Sequence, residues 1–167
     1  MVGSKRLISG FRDLEKEEVL IEGHLSDALS YIKKHKDKKR IAVLVSGDPG
    51  IYSLSSKISK ILNKSDYEII PGISTIQLAF AKIGESWSDA KIISLHGRRI
   101  KNLANQIKFK EKVFLFTDPD FPPQEIAKDL LKNGIENRRV VVLGNLSYPN
   151  ERVIDTNLRR LSRMRGF

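Results

Sequence analysis

The chain alternates between two spacings of apolar residues. Short apolar stretches at 41–45, 67–70, 91–95, 112–117 and 139–143 read as strands, and 41–45, apolar on both parities, as one covered on both faces. Between them, apolar residues recur at helical spacing. Ala28, Leu29 and Ile32 predict a helix over 26–36, capped by Ser26 or Asp27 and closed by lysines. Ile51, Leu54, Ile58, Ile61 and Leu62 predict another across 51–62, and 76–83 is a largely apolar third. A short helix follows at 102–108, and Pro122 and Pro123 open one through Leu131 that Gly134 stops. The less regular pieces are a loop at 2–6, a charged turn at 14–18, a short strand at 19–21 and an irregular element over 153–161 with a basic tail. Alternating strands and helices predict an α/β fold, in two series that divide into domains at 1–84 and 85–167.

One junction organises the rest. The run from Ile41 to Val45, predicted to be a central parallel strand, ends in Ser46-Gly47-Asp48-Pro49-Gly50 before Ile51 and Tyr52 open a helical pattern. Gly permits positive φ and close backbone approach, Pro fixes φ, and Asp places a carboxylate at the strand's carboxyl end, where open α/β sheets bind ligands. The device recurs at 70–75, where Pro71-Gly72-Ile73 leads to Ser74 and Thr75 at a helix N-terminus. Each turn taken alone is also what any strand-to-helix connection requires, and Ser74 and Thr75 serve equally well as plain N-caps.

Composition removes several classes of chemistry. With no Cys, the 167-residue chain has no disulfide, thiol nucleophile or Cys-bound zinc, and His24, His35 and His96 lack metal-ligand spacing. No apolar run approaches the roughly 20 residues of a membrane span, and the opening residues lack a signal-peptide core, so a cytoplasmic location is expected. Thirty Lys and Arg against 20 Asp and Glu give a net charge of +10, which favours an anionic partner or simply a lysine-rich solvated surface. The basic residues are spread through helices without aromatic interleaving, so nucleic acid is a poor candidate. His96, Gly97 and Arg98 follow the 91–95 strand and join a proton-transfer group to a carboxylate-binding guanidinium. No nucleophile–base pair, carboxylate dyad or Walker loop accompanies them.

Taken in order, 46–52 (Ser-Gly-Asp-Pro-Gly-Ile-Tyr), 70–75 (Ile-Pro-Gly-Ile-Ser-Thr), 77–79 (Gln-Leu-Ala), 87–90 (Trp-Ser-Asp-Ala), 94–98 (Ser-Leu-His-Gly-Arg) and 150–152 (Asn-Glu-Arg) resemble the motifs of the tetrapyrrole methylases. The resemblance covers most of the chain and implies two α/β domains with S-adenosylmethionine in the cleft between them, usually in a homodimer. It implies methyl transfer to carbon 5 of cobalt-precorrin-7 in cobalamin biosynthesis, with association with the enzyme acting at carbon 15. Gly47, Asp48, Ile51, Tyr52, Ser74, Thr75, Leu115, Phe116 and Leu146 would contact the cofactor, and His96 and Arg98 the anionic tetrapyrrole. No catalytic residue or metal ligand is implied.

The family normally opens with a strand and a Gly-rich loop before the segment matched by Val2-Gly3-Ser4-Lys5-Arg6, so the resemblance implies an N-terminal domain truncated at its start. Two other readings stand beside methyl transfer to a precorrin. One is a noncatalytic module that binds a partner protein or RNA; the other is a family member whose acceptor is a protein side chain.

Overall fold

The computed structural model describes residues 1–21, 24–97 and 100–166. They form two compact units, Met1–Ser74 and Thr75–Phe167. The helix that starts at Thr75 belongs to the second of these units and sets Phe80 against Phe114, ring centroids 6.1 Å apart.

The first unit is built on a two-residue strand. β1 (Val2–Gly3) pairs in parallel with β2 (Val19–Leu20) on one edge. On the other edge the Val2 amide donates to the Ala42 carbonyl at 2.9 Å, and the Leu44 amide donates to the Val2 carbonyl at 2.8 Å. Val2, paired on both edges and 1% exposed, is therefore the central residue. This corrects two expectations: 2–6 is not a loop, and 41–45 flanks β1 instead of lying at the centre. Two apolar residues carry too little periodicity to announce a strand; only pairing from both sides makes them one. α1 (Lys5–Ile8) and a 3-10 segment (Ser9–Leu14) follow β1 directly. α2 (Leu25–His35) lays Ala28 and Ile32 against Val2, with Asp27 in its first turn and Lys33 and Lys34 in its last, each charge matched to the helix dipole.

The remainder of this unit departs from the pattern. Of 51–62 only α3 (Ser55–Ile58) is regular helix, since Tyr52 takes a φ of +49° and Asp48 holds 48–51 in a turn. The 67–70 stretch pairs with no strand among the described residues, and Ile70 is 75% exposed. β-branched sequence becomes a strand only where a partner edge lies alongside.

The second unit keeps closer to its sequence. α4 (Thr75–Ile83) leads to β3 (Lys91–Ser94), which pairs in parallel with β4 (Val113–Phe116) from Lys91↔Val113 to Ser94↔Phe116. The crossover between them carries α5 (Leu103–Ile107). α6 (Pro123–Lys132) has Pro at its start, Glu125 in its first turn and Gly134 at φ +80° beyond its end. It buries Ile126, Ala127 and Leu130 against Leu103, Ala104 and Ile107 of α5 and Val142 of the next strand. Each such aliphatic side chain contributes about 1.5–3 kcal/mol of burial. The irregular element expected at 153–161 is instead β6 (Arg152–Asn157), antiparallel to β5 (Arg139–Gly144), followed by α7 (Leu158–Leu161). The cross-strand fork of Arg139 onto Asp155, at 2.9–3.2 Å, helps fix that register, which the polar sequence of β6 conceals.

Candidate functional site

In the first unit the two Pro/Gly turns meet. Asp48 divides its carboxylate between them: Oδ1 accepts the Gly50 amide at 2.7 Å and Oδ2 accepts the Gly72 amide at 3.2 Å. Gly47 has a φ of +70°, and a Cβ at Gly72 would stand 2.6 Å from the Gly47 carbonyl oxygen. Glycine is thus required at both places for different reasons, one conformational and one steric. The Ile51 amide closes the turn onto the Asp48 carbonyl at 3.3 Å, and the Ser55 hydroxyl donates to the Pro49 carbonyl. Tyr52 lies exposed beside this turn, and Ser74 ends the other, buried.

In the second unit a cavity of about 360 Å³ runs between α4, α6, β4 and β5. Its lining includes the consecutive residues 113–117 and 138–143. Alternate residues of a strand point to opposite faces, so lining by both parities means that the cavity meets the edges of β4 and β5. No ladder joins these strands among the described residues. Those edges carry backbone donors and acceptors, set among Leu115, Phe116, Leu143 and Leu146, with the Thr75 hydroxyl residue and Ala79 from α4. The volume lies within the range of small-molecule pockets.

His96 and Gly97 leave the carboxyl end of β3, and Asp118 leaves the carboxyl end of β4 beside it. The Asp118 side chain, only 8% exposed, accepts the Gly97 amide on Oδ2 at 2.6 Å and the Phe121 amide on Oδ1 at 3.0 Å. The Gly97 amide, followed by those of Phe121 and Asp120, holds this carboxyl below the usual carboxylate range, with a smaller contribution from the nearby imidazole. His96 Nδ1 stands 3.9 Å from Asp118 Oδ2, and the ring is 75% exposed. A largely exposed imidazole is thus presented at the carboxyl edge of a parallel strand pair.

The residues singled out from the sequence therefore fall into three groups. Gly47, Asp48, Ile51 and Tyr52 sit on one turn of the first unit, which Asp48 ties to the turn ending at Ser74. Thr75, Leu115, Phe116 and Leu146 line one cavity of the second. His96 stands at the strand end, and Arg98 lies outside the described residues. Two structural carboxylates were not foreseen. Asp118 follows β4 in an Asp-Pro-Asp-Phe-Pro-Pro stretch whose turn composition was its only signal. In the sequence Glu151 stands out only as part of the Asn-Glu-Arg motif. Among the described residues no cluster of three or more His, Cys, Asp or Glu is placed to hold a metal ion, and no helix is long and apolar enough to cross a membrane.

Residues 7–162 match the family model of the Tetrapyrrole (Corrin/Porphyrin) Methylases. The chain is 38% identical over 168 residues to the probable cobalt-precorrin-7 C(5)-methyltransferase of Methanocaldococcus jannaschii, covering 97% of this chain and 78% of that protein. Its fold resembles the crystal structure of the cobalamin-biosynthesis precorrin-6Y methylase from Archaeoglobus fulgidus, with a TM-score of 0.70 and 24% identity over 95% of this chain and 76% of that one. It also resembles the uroporphyrin-III C-methyltransferase from Thermus thermophilus in complex with S-adenosylhomocysteine, with a TM-score of 0.70 and 18% identity over 96% and 78% of the two chains.

Proposed function

We propose, because this chain belongs to the tetrapyrrole (corrin/porphyrin) methylases, that it transfers a methyl group from S-adenosylmethionine to carbon 5 of cobalt-precorrin-7 in cobalamin biosynthesis. The structural observation that carries the reading is the gathering of Thr75, Leu115, Phe116 and Leu146 around one cavity of the second unit. These residues suit the adenosine part of the cofactor. The leucines and phenylalanine offer apolar faces to a flat ring, and the edges of β4 and β5 offer backbone groups to its polar rim.

S-adenosylmethionine supplies an already activated sulfonium methyl group. The work left to the protein is binding, alignment and exclusion of water. Gly47, Asp48, Ile51, Tyr52 and Ser74 of the first unit are proposed as cofactor contacts on the family resemblance alone. Asp48 already uses both oxygens on the Gly50 and Gly72 amides, so its first task is to hold the backbone that faces the ligand. Its further lone pairs remain able to accept from the cofactor.

The +10 net charge attracts a macrocycle that carries several carboxylates. His96 and Arg98 are the proposed contacts to it, with His96 held at its strand end through the bond from the Gly97 amide to Asp118. Assembly as a homodimer, and association with the enzyme acting at carbon 15, rest on family membership and belong to the same proposal.

The test combines calorimetric titration with S-adenosylhomocysteine and transfer of labelled methyl from S-adenosylmethionine to cobalt-precorrin-7. Saturable binding and label at carbon 5 are expected. Absence of heat at millimolar S-adenosylhomocysteine overturns the cofactor assignment, while binding with label on another acceptor overturns the substrate assignment alone.

A further inference from the structure

We propose that Glu151 is a positioning residue: through Lys82 it fastens the loop following β5 to α4 and so shapes the wall of the cavity on which a ligand rests. The inference rests on the reading of that cavity as the adenosine pocket.

The loop from Gly144 to Glu151 is locally strained. Asn145 and Ser147 have φ of +52° and +67°, a region that residues with a Cβ seldom adopt. Leu146, the loop's cavity-lining residue, lies between them. Such a loop keeps its shape only if its surroundings over-determine it. Part of the constraint is internal: the Tyr148 amide donates to the Asn145 carbonyl and the Glu151 amide to the Tyr148 carbonyl, both at 3.0 Å.

A further part comes from one carboxylate. Glu151 Oε2 accepts the Ser147 amide at 2.9 Å, at a left-handed residue, and Oε1 accepts Lys82 Nζ at 2.5 Å. Lys82 belongs to α4, the helix whose Thr75 and Ala79 line the same cavity. A single side chain therefore joins the loop that carries Leu146 to the helix that carries Thr75 and Ala79.

Stability alone gives this arrangement little purpose. The Lys82 and Glu151 side chains are 47% and 24% exposed, and partly exposed ion pairs contribute little to folding. The buried core of the second unit is formed by other residues. What the pair controls is where the loop lies, which matters to whatever touches Leu146. Lys82 first, then the Ser147 amide, keeps the Glu151 carboxyl below the usual carboxylate range, so the tie stays charged at neutral pH.

The test uses the full chain. Backbone amide exchange over residues 144–151 and calorimetric affinity for S-adenosylhomocysteine are measured in the parent, in Glu151→Ala, Glu151→Gln and Lys82→Ala, and in the charge-reversed pair Lys82→Glu with Glu151→Lys. Loop exchange is expected to rise about tenfold in Glu151→Ala, with affinity falling by a similar factor, the scale of one lost charge-assisted hydrogen bond. Glu151→Gln still accepts the Ser147 amide and should be intermediate. The reversed pair should regain the helix contact and part of the affinity, and thermal midpoints should stay close to the parent's. Unchanged loop exchange in Glu151→Ala overturns the proposal whether or not the parent binds ligand. Faster exchange with unchanged affinity overturns it too, because the loop then does not govern binding. A parent that takes up no S-adenosylhomocysteine, while Glu151→Ala still loosens the loop, overturns the pocket's assignment and with it the residue's part in binding.

Discussion

Asp48 receives the Gly72 amide at 3.2 Å across 24 residues of sequence, so that one carboxylate ties the two Pro/Gly turns of the first unit together. The same side chain holds the Gly50 amide of its own turn. Removing it releases both. Asp48→Ala is expected to lower the stability of the first unit by about 0.5–1.5 kcal/mol in urea denaturation, the net worth of hydrogen bonds whose amides water can reach. S-adenosylhomocysteine affinity should fall with it, whereas Asp48→Asn, which keeps an acceptor oxygen, should lose less of both. Affinity unchanged in Asp48→Ala would confine the residue to shaping the turn.

The close approach of these turns predicts a steric effect at Gly72. A methyl group there would meet the Gly47 carbonyl oxygen at 2.6 Å, and backbone on backbone has no side-chain rotamer through which to relax. Gly72→Ala should cost about 1–3 kcal/mol, as overpacking does. Gly10→Ala is the control, since an added methyl there meets nothing within 4 Å. Equal denaturation midpoints for the two variants would show that the turns separate easily.

Leu146 tests the cavity directly. It is partly buried and lies outside the main core, so Leu146→Ala should barely move the unfolding midpoint. Loss of its apolar contact should weaken S-adenosylhomocysteine binding by about 1–2 kcal/mol. A large drop in stability with unchanged affinity would make Leu146 a packing residue and move the ligand elsewhere.

Asp118 gives a prediction in pH. Bonds from the Gly97, Phe121 and Asp120 amides hold its carboxyl below the usual carboxylate range in the folded chain. The stability it contributes is therefore complete above the ordinary value of about 4 and is lost as the pH falls through the lower folded value. Thermal midpoints of the parent should drop more steeply below about pH 4 than those of Asp118→Asn, which has no proton to gain. Parallel curves for the two proteins would remove Asp118 from the acid response.

His96 separates substrate from cofactor recognition. The ring is exposed and its backbone neighbour is held by Asp118, so His96→Ala should leave folding and S-adenosylhomocysteine affinity unchanged. In the methyl-transfer assay it should raise KM for the tetrapyrrole by about tenfold, the size of one charge-assisted contact. A KM equal to the parent's, with cofactor affinity intact, would return His96 to the solvated surface.

The helices at 25–35, 75–83 and 123–132 and the strands at 91–94, 113–116 and 139–144 were legible in the sequence, because each contains enough apolar residues at one spacing to carry its own signal. The Pro/Gly turns were legible too, since positive φ at Gly47 and close approach at Gly72 demand particular residue types wherever they occur. Tertiary structure alone decided that Val2 is central, because a two-residue strand is defined by the partners on its edges. It also decided that 67–70 pairs with no strand among the described residues and that the polar stretch 152–157 does, for β structure is a relation between segments and not a property of one. The tasks of Asp118 and Glu151 were decided there as well: each carboxylate bonds backbone or charge brought from another part of the chain, and residue identity alone does not say which amide will arrive.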